Sequence, residues 1–291
     1  MASGLSPTTS PSIECVLRIQ EDGIRHSQQI SREEIESMVV YVQETKKYTP
    51  ADPRGWDCVI DSSEFNFIKR IDDATNLVRT RSWIKIPRVP PQVLFHILRD
   101  PKERVSFDKY YRRFEVSKTV SSELDVLISE VDAPIGVSNR EFVEWRRILV
   151  PEGPSISRKD AVYAIQLRSC DDAECSQSIL PRSKRLERAE TWLSGYVMSW
   201  WLDPETNEAL GSQILVMSQI DMRGLLPQLF VNMVGAVSAP TKWCRTLIEA
   251  SQKFCKSSGI HSDMTDEEIE EKLKIVRIGR TDSKQPVCNS S

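Results

Sequence analysis

Residues 188–255, RAETWLSGYVMSWWLDPETNEALGSQILVMSQIDMRGLLPQLFVNMVGAVSAPTKWCRTLIEASQKFC, decide the fold. RAETWLSGYVMSWWL (188–202) and SQILVMSQID (212–221) read as two long strands joined by a polar turn. From about Leu225 to Cys255 the period changes. Leu226, Leu229, Phe230, Met233, Val237, Cys244, Leu247, Ile248 and Phe254 follow helical spacing. Pro227 suits the first turn of that helix, and Pro240 is expected to kink it midway.

Working backwards, LDVLISEVD (124–132), REFVEWRRIL (140–149) and DAVYAIQLR (160–168) read as further strands, preceded by YRRFEVSKTV (111–120). VPEGPSISRK (150–159) is a Pro/Gly/Ser loop, and the polar stretch 169–184 reads as an exposed insertion. Two helices precede these strands, VPPQVLFHILRD (89–100), opened by prolines, and a shorter one from DPKERV (100–105). WDCVI (56–60), EFNFIKRI (64–71) and NLVRTRSWIKI (76–86) make three strands before them. Ser31 and Glu34 form a capping box for a helix with Ile35, Met38, Val39 and Val42 on one face. IECVLRI (13–19) alternates weakly as a short strand, and residues 1–12 have the composition of a disordered segment. TDEEIEEKL (265–273) reads as a short acidic helix in a flexible tail.

This order is α+β, with hairpin-linked strands rather than βαβ units. One helix cannot fill the face of a nine-stranded antiparallel sheet. A sheet curved around one long C-terminal helix is expected to leave a ligand-sized interior. The expected divisions are an N-terminal extension (1–29), one binding domain (30–256) and a flexible tail (257–291).

Composition narrows the function. The chain has 291 residues, 40% of them hydrophobic and 28% charged, with a formal net charge of -3. That balance is ordinary for a globular protein and does not suit an electrostatic nucleic-acid binder. Seven scattered Cys without a CxxC pair are expected to be reduced, in a cytoplasmic setting, and bind no metal. Neither a signal peptide nor a run of about 18 apolar residues is present. There are three His; His96, in VLFHILRD, is expected to be a packing residue rather than a base. No phosphate-loop, dinucleotide or nucleophile-elbow motif occurs, so neither an enzyme nor a cofactor is expected.

Three motifs resemble START domains, the lipid-transfer domains related to the steroidogenic acute regulatory protein. They are SNREFVEWRR (138–147), RAETWLSGYVMSW (188–200) and SQIDMRGLLPQLFVNMVGAVSAPTKWCRTL (218–247). The resemblance spans about residues 30–256 with matching element order, and implies a helix-grip fold enclosing a lipid. ERVSFDKYYRRFE (103–115) resembles a segment of the phosphatidylcholine transfer group, whose Arg and Asp form an ion pair in the cavity, the Arg holding the lipid phosphate. The matching residues are Arg104 and Asp108, one helical turn apart; without the resemblance they read as a surface ion pair. That group also cages choline with aromatic side chains, and by position Phe142 and Trp192 match two of them. Ser129 stands where the third would be, which opens the headgroup choice to ethanolamine and others.

The expected function is therefore transport of one lipid, a glycerophospholipid such as phosphatidylcholine, by a monomer that touches membranes transiently. The alternatives are a lipid-sensing adaptor that does not transfer, or a carrier of sterol or ceramide. Leu226, Phe230, Met233 and Val237 are the expected cavity and lid residues. The loop 150–159 is a second candidate gate, and Arg182, Lys184, Arg185 and Arg188 are candidate docking charges.

Overall fold

The computed structural model describes residues 29–44, 56–73, 75–133, 138–153, 156–170, 186–223 and 238–276. The Ser31 capping box is present: Glu34 N–H donates to Ser31 Oγ at 3.2 Å, and Ser31 N–H to Glu34 Oε2 at 2.7 Å. It opens α1 (Arg32–Glu44). Three strands follow, β1 (Asp57–Asp61), β2 (Phe65–Ile71) and β3 (Val78–Pro87). Then come α2 (Pro91–Arg99) and α3 (Pro101–Phe107), which share Asp100 as the cap between them.

The second group of strands is β4 (Tyr111–Thr119), β5 (Leu124–Val131), β6 (Arg140–Leu149), β7 (Val162–Ser169), β8 (Glu187–Arg188), β9 (Glu190–Leu202) and β10 (Ala209–Asp221). Helices α4 (Ser238–Ser258) and α5 (Asp266–Leu273) close the chain. The sheet order is β1-β2-β3-β10-β9-β7-β6-β5-β4, antiparallel throughout. Nine strands are those that periodicity indicates. The tenth, β8, is two residues long, too short for a period of two to show, and pairs in parallel with β6.

Alternation gives the sheet two faces with different covers. Ile84, Ile86, Tyr163, Ile165, Leu167, Met198, Trp200 and Ile214 point to the inner face, where α2, α4 and α5 supply Val93, Leu94, Cys244, Leu247 and Ile269 to one core cluster. On the outer face Ile35, Met38 and Val39 of α1 pack against Ala164, Val197, Leu215 and Met217. Each such side chain contributes roughly 2 kcal/mol of burial. Gly195 makes that contact possible: a Cβ there would lie 2.5 Å from Met38 Sδ.

The tail expected to be flexible is built into the core from Ile260 to Ile275. Ile260, Ile269, Leu273 and Ile275 are all buried with the inner cluster. Trp200 Nε1 donates to Asp266 Oδ2 at 3.3 Å, and the Tyr163 hydroxyl donates to Glu270. TDEEIEEKL looks polar because five of its nine residues are acidic, yet Ile269 and Leu273 form an i,i+4 apolar stripe. The domain therefore extends past residue 256.

The described ends of the loop 150–159, expected as a gate, are each tied to the rest of the chain. Arg158 pairs with Asp266 at 3.2 Å, donates to the Ser262 carbonyl at 2.8 Å and lies 4.2 Å over the Trp200 ring, while Glu152 pairs with Arg32. His96 is a packing residue, its ring 5.2 Å from that of Phe254. The expectation of uniformly reduced thiols fails at Cys170, which is disulfide-bonded and buried; Cys58, Cys244 and Cys255 are free. Residues 1–28, most of the 169–184 insertion with Arg182, Lys184 and Arg185, and the lid residues Leu226, Phe230, Met233 and Val237 lie outside the described residues. Arg188 is described, and it pairs with Glu141 at 2.9 Å. Among the described residues no helix is long and apolar enough to cross a membrane.

Candidate functional site

Asp100 starts the site. Its carboxylate accepts from the backbone N–H groups of Lys102 and Glu103 at 2.8 and 3.1 Å, and Pro101 supplies a preset first turn to α3. That short helix aims Arg104 and Asp108 inward. Both are 4% exposed. Arg104 Nη2 donates to Asp108 Oδ2 at 3.0 Å and to the Tyr196 hydroxyl at 3.3 Å. From α4, Trp243 Nε1 donates to the same Asp108 oxygen at 3.0 Å.

Aromatic rings close around the guanidinium. Its central carbon is 4.9 Å from the ring centre of Tyr111, 5.5 Å from Phe107, 5.6 Å from Tyr196 and 6.0 Å from Phe114. The surface ion-pair reading is thereby excluded. A buried cation is sustained here by one carboxylate, one phenol and four π faces. Burial also pushes the Tyr111 phenol upward, so it stays neutral. One donor is left over: Arg104 Nε is buried and has no partner.

Strand register turns a second carboxylate to the same inner face of the sheet. On β6, Val143 and Trp145 belong to an outer cluster, so Phe142, Glu144 and Arg146 face inward by alternation. Arg146 is paired twice with Asp125, at 2.9 and 2.6 Å, and donates to the Arg99 carbonyl at 2.6 Å. Glu144, 6% exposed, accepts a 2.6 Å bond from the Thr191 hydroxyl and has no basic side chain in ion-pair contact among the described residues. A bulge in β9 places Thr191 there: Leu193 opposes Gln219 but Thr191 opposes Ile220, so Trp192 is the extra residue.

Burial, above all, pushes the Glu144 carboxyl up to about 7, against the pull of Thr191, Arg104 and Arg146. A carboxyl raised in the fold stabilises it most below the unfolded value of 4.5, and that contribution is lost as pH rises through about 7. Glu144→Gln keeps an acceptor for Thr191 and removes the charge. It should stabilise the protein by up to about 3 kcal/mol at pH 8 and leave it unchanged near pH 4, which urea unfolding at both pH values measures. A variant less stable than wild type at pH 8 would show that Glu144 is not held against its charge.

Of the residues expected from sequence, Arg104 and Asp108 are brought together. Phe142 is buried on β6 opposite Ser129, on the face that Glu144 shares. Trp192 is half-buried at the β9 bulge, with β7 between its strand and β6. Sequence reading passed over Tyr111, Glu144, Tyr196 and Trp243. Signals existed: Tyr111 stands inside ERVSFDKYYRRFE, and Glu144 shares its strand parity with Phe142. Burial also raises the α4 thiols, Cys244 to about 12 and Cys255 to about 11, so both are inert packing groups.

The START domain family model matches residues 36–257. Among solved structures, human STARD10 superposes with a TM-score of 0.63 at 20% identity, over 83% of this chain and 86% of that one. Human StAR-related lipid transfer protein 5 gives 0.56 at 17% identity, over 77% and 99%. At these identities the likeness shows the fold. No curated protein matches the chain.

Proposed function

As the chain belongs to the START domain family, we propose that it carries one glycerophospholipid between membranes, with the headgroup at Arg104 and the acyl chains under the inner sheet face. Lipid binding and transfer is the activity of the family; the glycerophospholipid is our reading of this site. The observation that carries it is the buried Arg104–Asp108 pair with its unpartnered Nε. A guanidinium offers planar, paired donors that match phosphate oxygens. Asp108 keeps the cation paired when no lipid is present, and a phosphate oxygen would satisfy the leftover donor. An unmade bond of that kind costs about 1–3 kcal/mol.

Phe142 and Trp192 are proposed to flank the headgroup, and Leu226, Phe230, Met233 and Val237 to form the lid that meets the bilayer. A carrier is needed because exposing roughly 30 methylenes to water, at about 0.8 kcal/mol each, makes spontaneous desorption slow. The protein acts as a monomer with transient membrane contact.

Native mass spectrometry after incubation with vesicles of mixed phospholipid, ceramide and cholesterol tests this reading. One glycerophospholipid per chain is the expected result. Retention of only ceramide or sterol, or of nothing, would overturn it.

A further inference from the structure

The charges around Arg104 do not balance. Arg104 is matched by Asp108, and Arg146 is matched by Asp125 in a two-bond pair. Glu144 remains over, 6% exposed on the inner face, with one hydroxyl bond and no cation in contact among the described residues. It is near enough to both arginines to feel their charge. A buried carboxyl without a cation is costly to ionise, and a bound cation would supply the partner that it lacks.

The polar groups beside it define what would fit. Ser129, 2% exposed, stands on β5 opposite Phe142, and Leu127, two residues before it, stands opposite Glu144. The Thr191 hydroxyl holds Glu144 Oε1 at 2.6 Å and fixes the carboxylate, leaving the other oxygen to accept from a ligand. Glu144 and Ser129 are thus diagonal neighbours across the β5–β6 pair, on one face. They reward a cation that carries N–H, and offer a fully methylated one only charge.

The geometry points to Glu144 as the acceptor for an N–H-bearing ammonium in the lipid headgroup, so that the site reads a zwitterion: phosphate on Arg104, amine on Glu144. This rests on the phospholipid reading above and narrows it to aminophospholipids of the ethanolamine type. Thr191, which holds the carboxylate, is the positioning residue in this arrangement.

A methylation series separates the two readings. Vesicles are prepared with one chain composition and four headgroups: phosphatidylethanolamine, its N-methyl and N,N-dimethyl derivatives, and phosphatidylcholine. Extraction by the full chain is measured for wild type and Glu144→Gln. Wild type should extract the ethanolamine lipid about tenfold better than the choline lipid, with the intermediates in order, because a charge-assisted hydrogen bond is lost across the series. Glu144→Gln should lose that gradient, its ethanolamine value falling about tenfold or more, to the level of its choline value. Wild type without a gradient, or a gradient that survives in Glu144→Gln, would overturn the assignment of Glu144 while leaving the phospholipid reading intact. No extraction of any of the four lipids by wild type would overturn both.

Discussion

Arg104→Ala is expected to reduce phospholipid transfer between vesicles by well over tenfold. Two effects add. The lipid phosphate loses a charge-assisted, two-pronged donor, and Asp108 is left buried with two neutral donors, the N–H groups of Trp243 and Tyr110, to hold it. Removing one partner of a buried, hydrogen-bonded charge pair costs on the order of 2–5 kcal/mol, and about 1.4 kcal/mol is already a factor of ten. The bound anion would then face an unopposed carboxylate. Arg104→Gln combined with Asp108→Asn separates folding from binding: the double variant should recover stability but not headgroup affinity. Transfer at the wild-type rate in a folded Arg104→Ala protein would remove the pair from the site.

Deleting residues 260–291 is expected to cost most or all of the cooperative fold. The deletion removes Ile260, Ile269, Leu273 and Ile275, all under 9% exposed, from the inner cluster. At roughly 2 kcal/mol each, their burial alone is comparable with a typical net stability of about 5–15 kcal/mol. It also strands the Trp200 N–H, the Tyr163 hydroxyl and the Arg158 guanidinium, whose partners lie at Asp266, Glu270 and the 262–264 carbonyls. Thermal unfolding followed by circular dichroism compares the truncated and full chains. Ile269→Ala, a single change in the full chain, should itself cost about 2–5 kcal/mol. A truncated chain that melts within a few degrees of the full one would mean that α5 is an appendage rather than part of the core.

What the amino-acid sequence determined by itself was local or periodic. Alternation in NLVRTRSWIKI and SQILVMSQID marks strands wherever one face is buried, and the Ser31–Glu34 capping box marks the start of α1 within a single turn. Arg104 and Asp108 are one helical turn apart, so their pairing was legible too, and the family motifs fall within the strands and helices that periodicity outlines. What it left undecided was everything that depends on which face becomes the interior. A period of two says that Phe142, Glu144 and Arg146 point the same way, but not that they point toward Arg104. The same Arg–Asp spacing is a surface pair on one side of a helix and a buried one on the other. It is buried here because Tyr196, 92 residues from Arg104, and Trp243, 135 residues from Asp108, arrive from β9 and α4. The C-terminal helix shows the same limit, since two apolar residues among acidic ones count as core only when a complementary surface meets them. Burial is a property of the assembled sheet and helices, and it changes a salt bridge, a lone glutamate and an acidic tail from solvated features into the groups that hold the site.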